Sequence, residues 1–201
     1  MKTLKFENEG EWLAARRGKI TGSRLKDIIV KRGTDYKIGY YELIAEKLSV
    51  LPDEEDPMER GKRLESEAVK RFEKATKKKV NTDLVIWTRD DNENIALSPD
   101  GFIGKTEAVE VKCLSSAQHI KAFLTKEIPP EYEMQAVQYF IVNDSLKTLY
   151  FVFYDPRVLV KDYFVLPIKR EYVAEQVAEY LEYERKILPE IDEIVAKLTN
   201  F

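Results

Sequence analysis

The sequence predicts an α/β (α+β) protein in which a central mixed β-sheet is flanked by helices, folded as a single domain over residues 1–201. Three observations support this fold class. The first 75 or so residues have helical periodicity and helix-start signals. From residue 83 the pattern changes to short apolar or alternating runs bounded by turn residues, as in β-strands. Helical and strand patterns then alternate to the end of the chain, which predicts helices layered on a sheet.

The amino-terminal part is expected to be helical. Asn8 and Glu11 form a capping-box pair, and Asp56 before Pro57 is a strong N-cap. The segment LPDEEDP reads as a loop. The predicted helices begin near Asn8 and stop at Gly18, begin around Thr21–Ser23, cover roughly 37–49, and run from Pro57 to about Ala75.

The remainder of the chain is predicted to contain the sheet and three more helices. The predicted strands are DLVIWT (83–88), NIALS (94–98), a pair at 101–104 and 107–113, TLYFVFYD (148–155) and KDYFVLPI (161–168). The predicted helices cover about 115–125, 131–143 and 170–198.

Composition excludes several classes of protein. At 44% hydrophobic and 34% charged, the chain is long and apolar enough to bury a core. Its one cysteine, Cys113, and one histidine, His119, exclude an internal disulfide and the usual structural zinc cluster. The chain contains no run of about 18 apolar residues, so no membrane span is predicted, and the amino terminus does not read as a secretory signal. A cytoplasmic protein is therefore expected.

Charge is distributed unevenly along the chain. The net charge is −3, but residues 11–37 have an excess of five positive charges and residues 171–201 an excess of five negative charges. A local basic patch attracts phosphate even when the overall balance is acidic.

Three charged residues in the middle of the chain predict a metal site. Glu110 and Lys112 are two positions apart on a predicted strand, so their side chains share a face, about 6–7 Å apart. Asp100 ends the preceding strand at a Pro/Gly turn, where a hairpin brings it beside Glu110. Two converging carboxylates suit Mg²⁺, and a nearby lysine orients or deprotonates water and stabilises phosphate charge. The alternative is a salt bridge on an edge strand, because this pattern arises easily by chance in a highly charged chain.

Two polar residues on otherwise apolar helix faces favour the metal site. Glu65 shares a face with residues such as Phe72, where a carboxylate is costly unless it meets a metal or a cation. Gln138 also points inward from an apolar stripe, with Gln135 and Tyr139 on adjacent turns. The alternatives are a partly exposed glutamate paired with a lysine, and a core amide bonded to the backbone.

The stretch from Trp12 to Ser23 predicts a phosphate pocket. Thr21 or Ser23 should begin a helix, where hydroxyls and unpaired N–H groups favour an anion. Arg16 and Arg17 come just before, and arginine matches phosphate geometry. The alternative is a capped helix with a solvated basic face.

These pieces, in this order, resemble the bacteriophage lambda exonuclease family, also described as YqaJ-type viral recombinase nucleases, which have the restriction-endonuclease-like PD-(D/E)XK fold. The matching stretches span nearly the whole chain. They are WLAARRGKITGSRL (12–25), RGKRLESEA (60–68), LSPDGF (97–102), VEVKC (109–113), MQAVQY (134–139) and YDPR (154–157).

The resemblance implies a metal-dependent nuclease. Asp100, Glu110 and a main-chain oxygen near Val111 would bind Mg²⁺, for which Mn²⁺ would substitute. Lys112 would be the catalytic lysine, and Glu65 would hold a metal or its water.

The resemblance also implies a DNA substrate and partners. The enzyme would degrade double-stranded DNA ends 5′→3′ and leave 3′ single strands for recombination by single-strand annealing, as a phage or prophage protein. Gln138 would support the lysine or the nucleophile, and Arg16, Arg17, Thr21 and Ser23 would hold the 5′-phosphate. A ring-shaped homotrimer and a single-strand annealing protein as partner are expected.

The sequence departs from the family pattern behind the catalytic strand. An arginine expected there is replaced by Gln118, with His119 and Lys121 as candidate substitutes, and a proline is replaced by Leu114. His119 by itself reads as a surface or helix-face histidine, and Cys113 as a core residue.

Two other functions remain open from the sequence. One is an endonuclease or repair exonuclease of the same fold, which would cut a covalently closed circle. The other is a non-catalytic DNA-end-binding protein, which would show no Mg²⁺-dependent degradation.

Overall fold

The secondary structure is taken from a computed structural model that describes residues 7–17, 19, 36–48, 50 and 56–199. Within these ranges the helices are α1 (Glu9–Arg16), α2 (Ile38–Lys47), α3 (Pro57–Thr76), α4 (Ser116–Thr125), α5 (Glu133–Val142) and α6 (Ala174–Thr199). The strands are β1 (Trp87–Thr88), β2 (Ala96–Leu97), β3 (Gly101–Ile103), β4 (Glu107–Lys112), β5 (Thr148–Tyr154) and β6 (Tyr163–Lys169), and 3₁₀ turns cover Pro130–Tyr132 and Arg170–Tyr172. The helix predicted around Thr21–Ser23 lies outside the described residues.

The predicted fold class is confirmed, because four strands form one sheet in the order β3-β4-β5-β6. β3 and β4 pair antiparallel, with Gly101 opposite Val109. β1 and β2 form a separate antiparallel pair. Because β4 has a neighbour on each side, it is a central strand, and side chains on both of its faces are buried.

Helix starts follow the capping signals of the sequence. In α1 the Asn8 side chain accepts the Glu11 N–H at 2.9 Å, which is the N-cap bond of the predicted capping box, while the Glu11 carboxylate accepts from the Asn8 side-chain amide at 3.1 Å. Asp56 Oδ1 accepts from the N–H groups of Met58 and Glu59 at the start of α3. That helix ends at Thr76, one residue beyond the predicted end.

The first two predicted strands were too long. The observed strands cover only Trp87–Thr88 and Ala96–Leu97, not 83–88 and 94–98. Leu84 and Ile86 are 104% and 71% exposed, so their apolar side chains pack against no sheet face. A segment with the sequence pattern of a β-strand forms one only where it can pair with another strand and bury one of its faces.

The chain divides into two compact units, each made of separate sequence segments. The first unit comprises the described parts of 7–64 with Cys113–Glu127 and Phe153–Phe164, and one of its clusters packs Tyr41 and Ala45 of α2 against Ala117 and Ile120 of α4. The second comprises Glu65–Lys112, Ile128–Val152 and 165–199. In it, α5 and α6 pack around Ile95, Val137 and Ile141. The single-domain organisation stays a prediction. In the described ranges, no helix is long and apolar enough to cross a membrane.

Asp155 of the YDPR stretch is a buried structural carboxylate. It is 1% exposed and accepts hydrogen bonds from Ser116 Oγ at 2.5 Å and from Arg157 Nε at 2.8 Å. Burial raises the pKa of Asp155, but the hydrogen bonds from Arg157 and Ser116 outweigh it, so the pKa lies below its usual value. This carboxylate therefore stabilises the first unit in its ionised form.

Asp155→Asn is expected to lower the free energy of unfolding at pH 7 by about 1–3 kcal/mol, because it weakens charge-assisted hydrogen bonds in a buried site. The difference should be present above about pH 4 and vanish as the pH falls through the lowered pKa, where the wild-type carboxyl also protonates. Urea unfolding between pH 3 and 7 measures it. Asp144→Asn, which removes a 73% exposed partner of Arg89, is the matched control and should cost less than about 1 kcal/mol. Equal costs at the two positions would contradict this role for Asp155.

Candidate active site

β4 places Glu110 and Lys112 side by side in the second unit. Lys112 Nζ lies 2.5 Å from Glu110 Oε1, and their side chains are 16% and 2% exposed. Val109 and Val111 are buried as expected, because the side chains of β4 alternate between two covered faces. The pair is therefore a buried ion pair on a central strand, and the alternative of an edge-strand salt bridge is wrong.

α5 supplies two further contacts to the same carboxylate. Gln135 Nε2 donates to Glu110 Oε1 at 2.7 Å, and the Tyr139 hydroxyl donates to Glu110 Oε2. Four positions separate Gln135 from Tyr139, so both side chains lie on one face of the helix. Sequence reasoning noted Gln135 only as a possible site residue and gave Tyr139 no role. The Gln-x-x-x-Tyr spacing beside a carboxylate strand was the available signal.

Asp100 precedes β3 and lies beside the same strand. Its Oδ2 accepts the Val111 N–H at 2.7 Å. A Cβ on Gly101 would lie 2.5 Å from Val80, so glycine allows the chain at 80–81 to approach here. Burial and, next, repulsion from Glu110 raise the pKa of Asp100 to about 7, although the Val111 N–H and Lys112 oppose this. The β3–β4 hairpin thus places Asp100 beside the strand that carries Glu110, as predicted.

Glu65 extends this concentration of negative charge. It is half-buried on α3, and burial followed by repulsion from Glu110 raises its pKa, while Lys112 lowers it. In the described part of the chain, no three His, Cys, Asp or Glu side chains converge closely enough to chelate one ion. Asp100, Glu110 and a neighbouring carbonyl remain the predicted metal ligands, and all three are hard oxygen donors of the kind that Mg²⁺ and Mn²⁺ prefer. A metal role for Glu65 stays a prediction.

Aromatic rings line the other side of Lys112. Its Nζ lies 4.5 Å from the centre of the Tyr132 ring and 5.9 Å from that of Phe151. Such contacts stabilise an ammonium group that is partly removed from water. The sequence gave no sign of them, because Tyr132 belongs to a 3₁₀ turn 20 residues away from the lysine.

Gln138 does not share the position of Gln135. It lines a cavity together with Met134 of α5 and with Glu179 and Tyr180 of α6. One turn of helix separates the two glutamines, and the register of α5 directs Gln135 to Glu110. A catalytic role for Gln138 stays a prediction, and none of the described hydrogen bonds to Glu110 comes from Gln138.

The residues proposed to replace the missing arginine are placed differently from expectation. His119 is fully buried, with Nε2 2.8 Å from the Lys161 carbonyl and its ring packed edge-on against Phe164. Of the two predicted placements, surface or helix face, the surface one was wrong, because His119 lies on the buried face of α4. Gln118 is half-buried near Ser115 at the helix start. Lys121 is half-buried, and so is Cys113, which was expected in the core.

The basic amino-terminal stretch is only partly described. Arg16 is the last residue of α1 and is half-buried, and Arg17, which follows, is exposed. Thr21 and Ser23 lie outside the described residues. The 5′-phosphate pocket stays a prediction.

Tyr139→Phe is expected to lower the free energy of unfolding by about 1–3 kcal/mol and to reduce nuclease activity, because it leaves a buried Glu110 oxygen without its donor. Tyr150→Phe is the matched control, since that hydroxyl donates at 2.8 Å to Glu107, whose side chain is 22% exposed. The control should cost less than about 1 kcal/mol. Urea unfolding and single-turnover digestion measure the two effects. If both variants behaved alike, Tyr139 would not position Glu110.

This carboxylate–lysine site lies within a segment that matches a known domain. Residues 11–145 match the model of the YqaJ-like viral recombinase domain, and this range covers more than half of the chain. The chain belongs to the YqaJ-like viral recombinase domain family. The resemblance inferred from the sequence is thereby confirmed.

Solved structures agree with the family assignment. A crystal structure of the alkaline exonuclease LHK-Exo from Laribacter hongkongensis is 29% identical, with a TM-score of 0.57, and covers 94% of this YqaJ-family chain and 100% of that chain. LHK-Exo in complex with dAMP matches with the same identity and coverage and a TM-score of 0.56. These neighbours support the restriction-endonuclease-like fold. No curated protein gives a significant match.

Proposed function

We propose that this exonuclease of the YqaJ and lambda-exonuclease family is Mg²⁺-dependent and degrades double-stranded DNA from its ends in the 5′→3′ direction. It leaves 3′ single strands for recombination by single-strand annealing. The observation that supports it best is the buried Glu110, held by Lys112, Gln135 and Tyr139 next to Asp100. Three contacts to one buried carboxylate restrict its orientation, as a catalytic carboxylate requires.

The residues present fit a divalent cation. Burial together with repulsion from Glu110 raises the pKa of Asp100, so the ionised pair is unfavourable without a cation. Asp100, Glu110 and the Val111 carbonyl would hold Mg²⁺, with Mn²⁺ as a substitute. When bound, the ion supplies Lewis-acid polarisation of the scissile phosphate and lowers the pKa of water.

The side chains around the ion have separate tasks. Lys112 presents its ammonium group beside Glu110, where it would stabilise developing phosphate charge and donate hydrogen bonds from Nζ. Gln135 and Tyr139 hold the Glu110 carboxylate in one orientation. Glu65 of α3 adds a third carboxylate, which lies close enough to Glu110 for the two charges to repel each other.

The test is digestion of linear duplex DNA with and without Mg²⁺. The purified protein should degrade linear duplex only with the metal, release mononucleotides, and leave a covalently closed circle intact. Asp100→Ala should be inactive. Cutting of the circle would favour an endonuclease. Degradation of linear duplex at the same rate without Mg²⁺ would exclude the proposed metal site.

The 5′ polarity predicts a preference for 5′-phosphorylated ends. Arg16, Arg17, Thr21 and Ser23 would bind that phosphate, so a 5′-phosphate duplex should be digested about tenfold or more faster than a 5′-hydroxyl duplex, since each charge-assisted contact contributes about 1.5–3 kcal/mol. Arg16→Ala should reduce the preference without changing the rate on 5′-hydroxyl ends. Equal initial rates on the two substrates would contradict the pocket.

The resemblance also supports an oligomeric enzyme with an annealing partner. A ring-shaped trimer would encircle DNA, and the 3′ strand it leaves is the substrate of a single-strand annealing protein. Sedimentation equilibrium measures the first property. A monomer at micromolar concentration would exclude the ring.

A further inference from the structure

The long helix α6 has the residue spacing of a coiled-coil seam. Apolar or aromatic side chains recur at alternating intervals of three and four residues, which places them on one face. The helix has 26 residues, and the seam within it runs from Val177 to Leu198, which is about 32 Å. The positions of the seam are Val177, Tyr180, Glu184, Ile187, Ile191, Ile194 and Leu198.

Only the first part of the seam is covered by the second unit itself. Val177 and Tyr180 pack against Val137 and Ile141 of α5 and their neighbours. Farther along, Ile191, Ile194 and Leu198 are 46%, 55% and 64% exposed, and Val195 beside them is 51% exposed. Within the described ranges the apolar face therefore continues past its own core. Contiguous exposed apolar residues of this kind mark an interaction surface.

A cavity lies where the covered part of the seam ends. It has a volume of about 690 Å³, and its lining residues are Met134 and Gln138 of α5 and Glu179, Tyr180, Glu182, Tyr183, Glu184 and Lys186 of α6. Met134 and Tyr183 are 69% and 63% exposed, so apolar and aromatic surface faces the opening. Methionine and tyrosine side chains at such openings suit the docking of a partner side chain.

Glu184 is the one polar residue of the seam. Its Oε2 atom is buried, and no described residue donates a hydrogen bond to it. A buried carboxylate oxygen without a donor is unfavourable. It therefore indicates a partner that brings a cationic group to this position.

The charge of the helix disfavours two other occupants of this face, a second α6 and DNA. Residues 171–199 contain eight acidic and three basic side chains. Two copies pairing along the seam would bring both excess negative charges together, and DNA phosphates would meet the same repulsion. A basic helix has the complementary charge.

We propose that α6 binds a basic amphipathic helix of another protein, which covers Ile191, Ile194 and Leu198 and inserts a lysine or arginine beside Glu184. The partner helix extends the seam by the helix-in-groove mode of recognition. Its apolar residues bury the exposed stripe, and its flanking cations face the acidic sides of α6. The side chains that hold Glu110 are Lys112, Gln135 and Tyr139, and the proposed contacts on Glu184, Ile191, Ile194 and Leu198 involve none of them, so binding is expected to leave the nuclease active.

The experiment uses the full-length protein and three labelled synthetic helices of about four heptads. The basic probe has leucine or isoleucine at the core positions, lysine at the flanking positions and one arginine in the core. The second probe replaces the flanking lysines with glutamate. The third replaces the core arginine with leucine. Fluorescence anisotropy measures binding, and sedimentation measures the oligomeric state.

The basic probe should bind one per chain, and the acidic probe at least about a hundredfold more weakly. Ile191→Ser with Ile194→Ser should weaken the basic probe about tenfold or more. Leu159→Ser with Val160→Ser is the matched control, since these side chains are 87% and 73% exposed in the first unit, and should not change binding. Nuclease activity on linear DNA should stay unchanged in both double variants.

Glu184→Gln distinguishes the proposed ion pair from non-specific hydrophobic binding of the probe. It should weaken the arginine probe about tenfold and leave the leucine probe unaffected, which is a double-mutant cycle across the interface. Equal binding of the basic and acidic probes, or equal loss in the control variant, would overturn the proposal. A loss of the wild-type oligomer in the Ile191/Ile194 variant would also overturn it, because a second copy would then occupy the face.

Discussion

Asp100→Asn is expected to make the metal-free protein more stable while it abolishes Mg²⁺-dependent cleavage. Burial and the nearby Glu110 raise the pKa of Asp100 from 3.8 to about 7. At pH 8 the wild-type carboxyl is ionised in both the folded and the unfolded chain, so the folded state bears the full cost of the buried charge. Asparagine keeps an acceptor for the Val111 N–H and removes that cost. The gain at pH 8 should be on the order of 1–4 kcal/mol.

The sign of the pH dependence follows from the raised pKa. Below about pH 4 the wild-type group is protonated in both states, and its contribution to stability is fully present. Between about 4 and 7 only the folded chain keeps the proton, so the stability of the metal-free wild type falls as the pH rises. Asp100→Asn should lack this slope.

Urea unfolding in EDTA at several pH values measures the difference between Asp100→Asn and the wild type. Added Mg²⁺ should stabilise the wild type at pH 8 and leave the variant unchanged, because only the wild type retains both carboxylates. Asp83→Asn, at an exposed carboxylate outside the site, is the control and should follow the wild type. A variant less stable than the wild type at pH 8 would show that Asp100 is not held at an energetic cost.

Lys112→Met is expected to produce the largest loss of both stability and activity. The substitution leaves Glu110 buried without its cation, with Asp100 and Glu65 nearby. Breaking one member of a buried ion pair costs about 3–5 kcal/mol, and if Lys112 is the proposed catalytic lysine, its loss should lower kcat by about 10²–10⁴. Unfolding in EDTA and single-turnover digestion measure the two losses.

A double variant distinguishes the electrostatic cause from a loss of packing. Glu110→Gln with Lys112→Met removes both charges and should recover most of the stability lost in Lys112→Met, but no activity. Lys78→Met is the control for a partly exposed pair, because Lys78 and Glu107 have side chains 35% and 22% exposed, and should cost less than about 1 kcal/mol. If the double variant were less stable than Lys112→Met, the buried charge would not be the cause.

Helix starts could be predicted from the sequence because their signals are local. Asn8 with Glu11, and Asp56 with Pro57, act within three or four positions of the chain, and both caps form as expected. Strand alternation likewise places Glu110 and Lys112 on one face. The strand 83–88 was overestimated because pairing depends on a distant partner, and Leu84 and Ile86 have none to pack against.

Local sequence patterns were enough to predict the chemistry available in the middle of the chain. Asp100, Glu110 and Lys112 are set by a hairpin and by the two-residue period of a strand, and their motifs placed the chain in its family. The side chains that surround these three residues could be identified only from the packing of the helices against the sheet. Gln135 and Tyr139, and not Gln138, donate hydrogen bonds to Glu110, and the Tyr132 ring lies beside the Lys112 ammonium group. The reason is physical: backbone geometry fixes neighbours a few residues apart, whereas the register and packing of α5 against β4 depend on contacts across the whole unit.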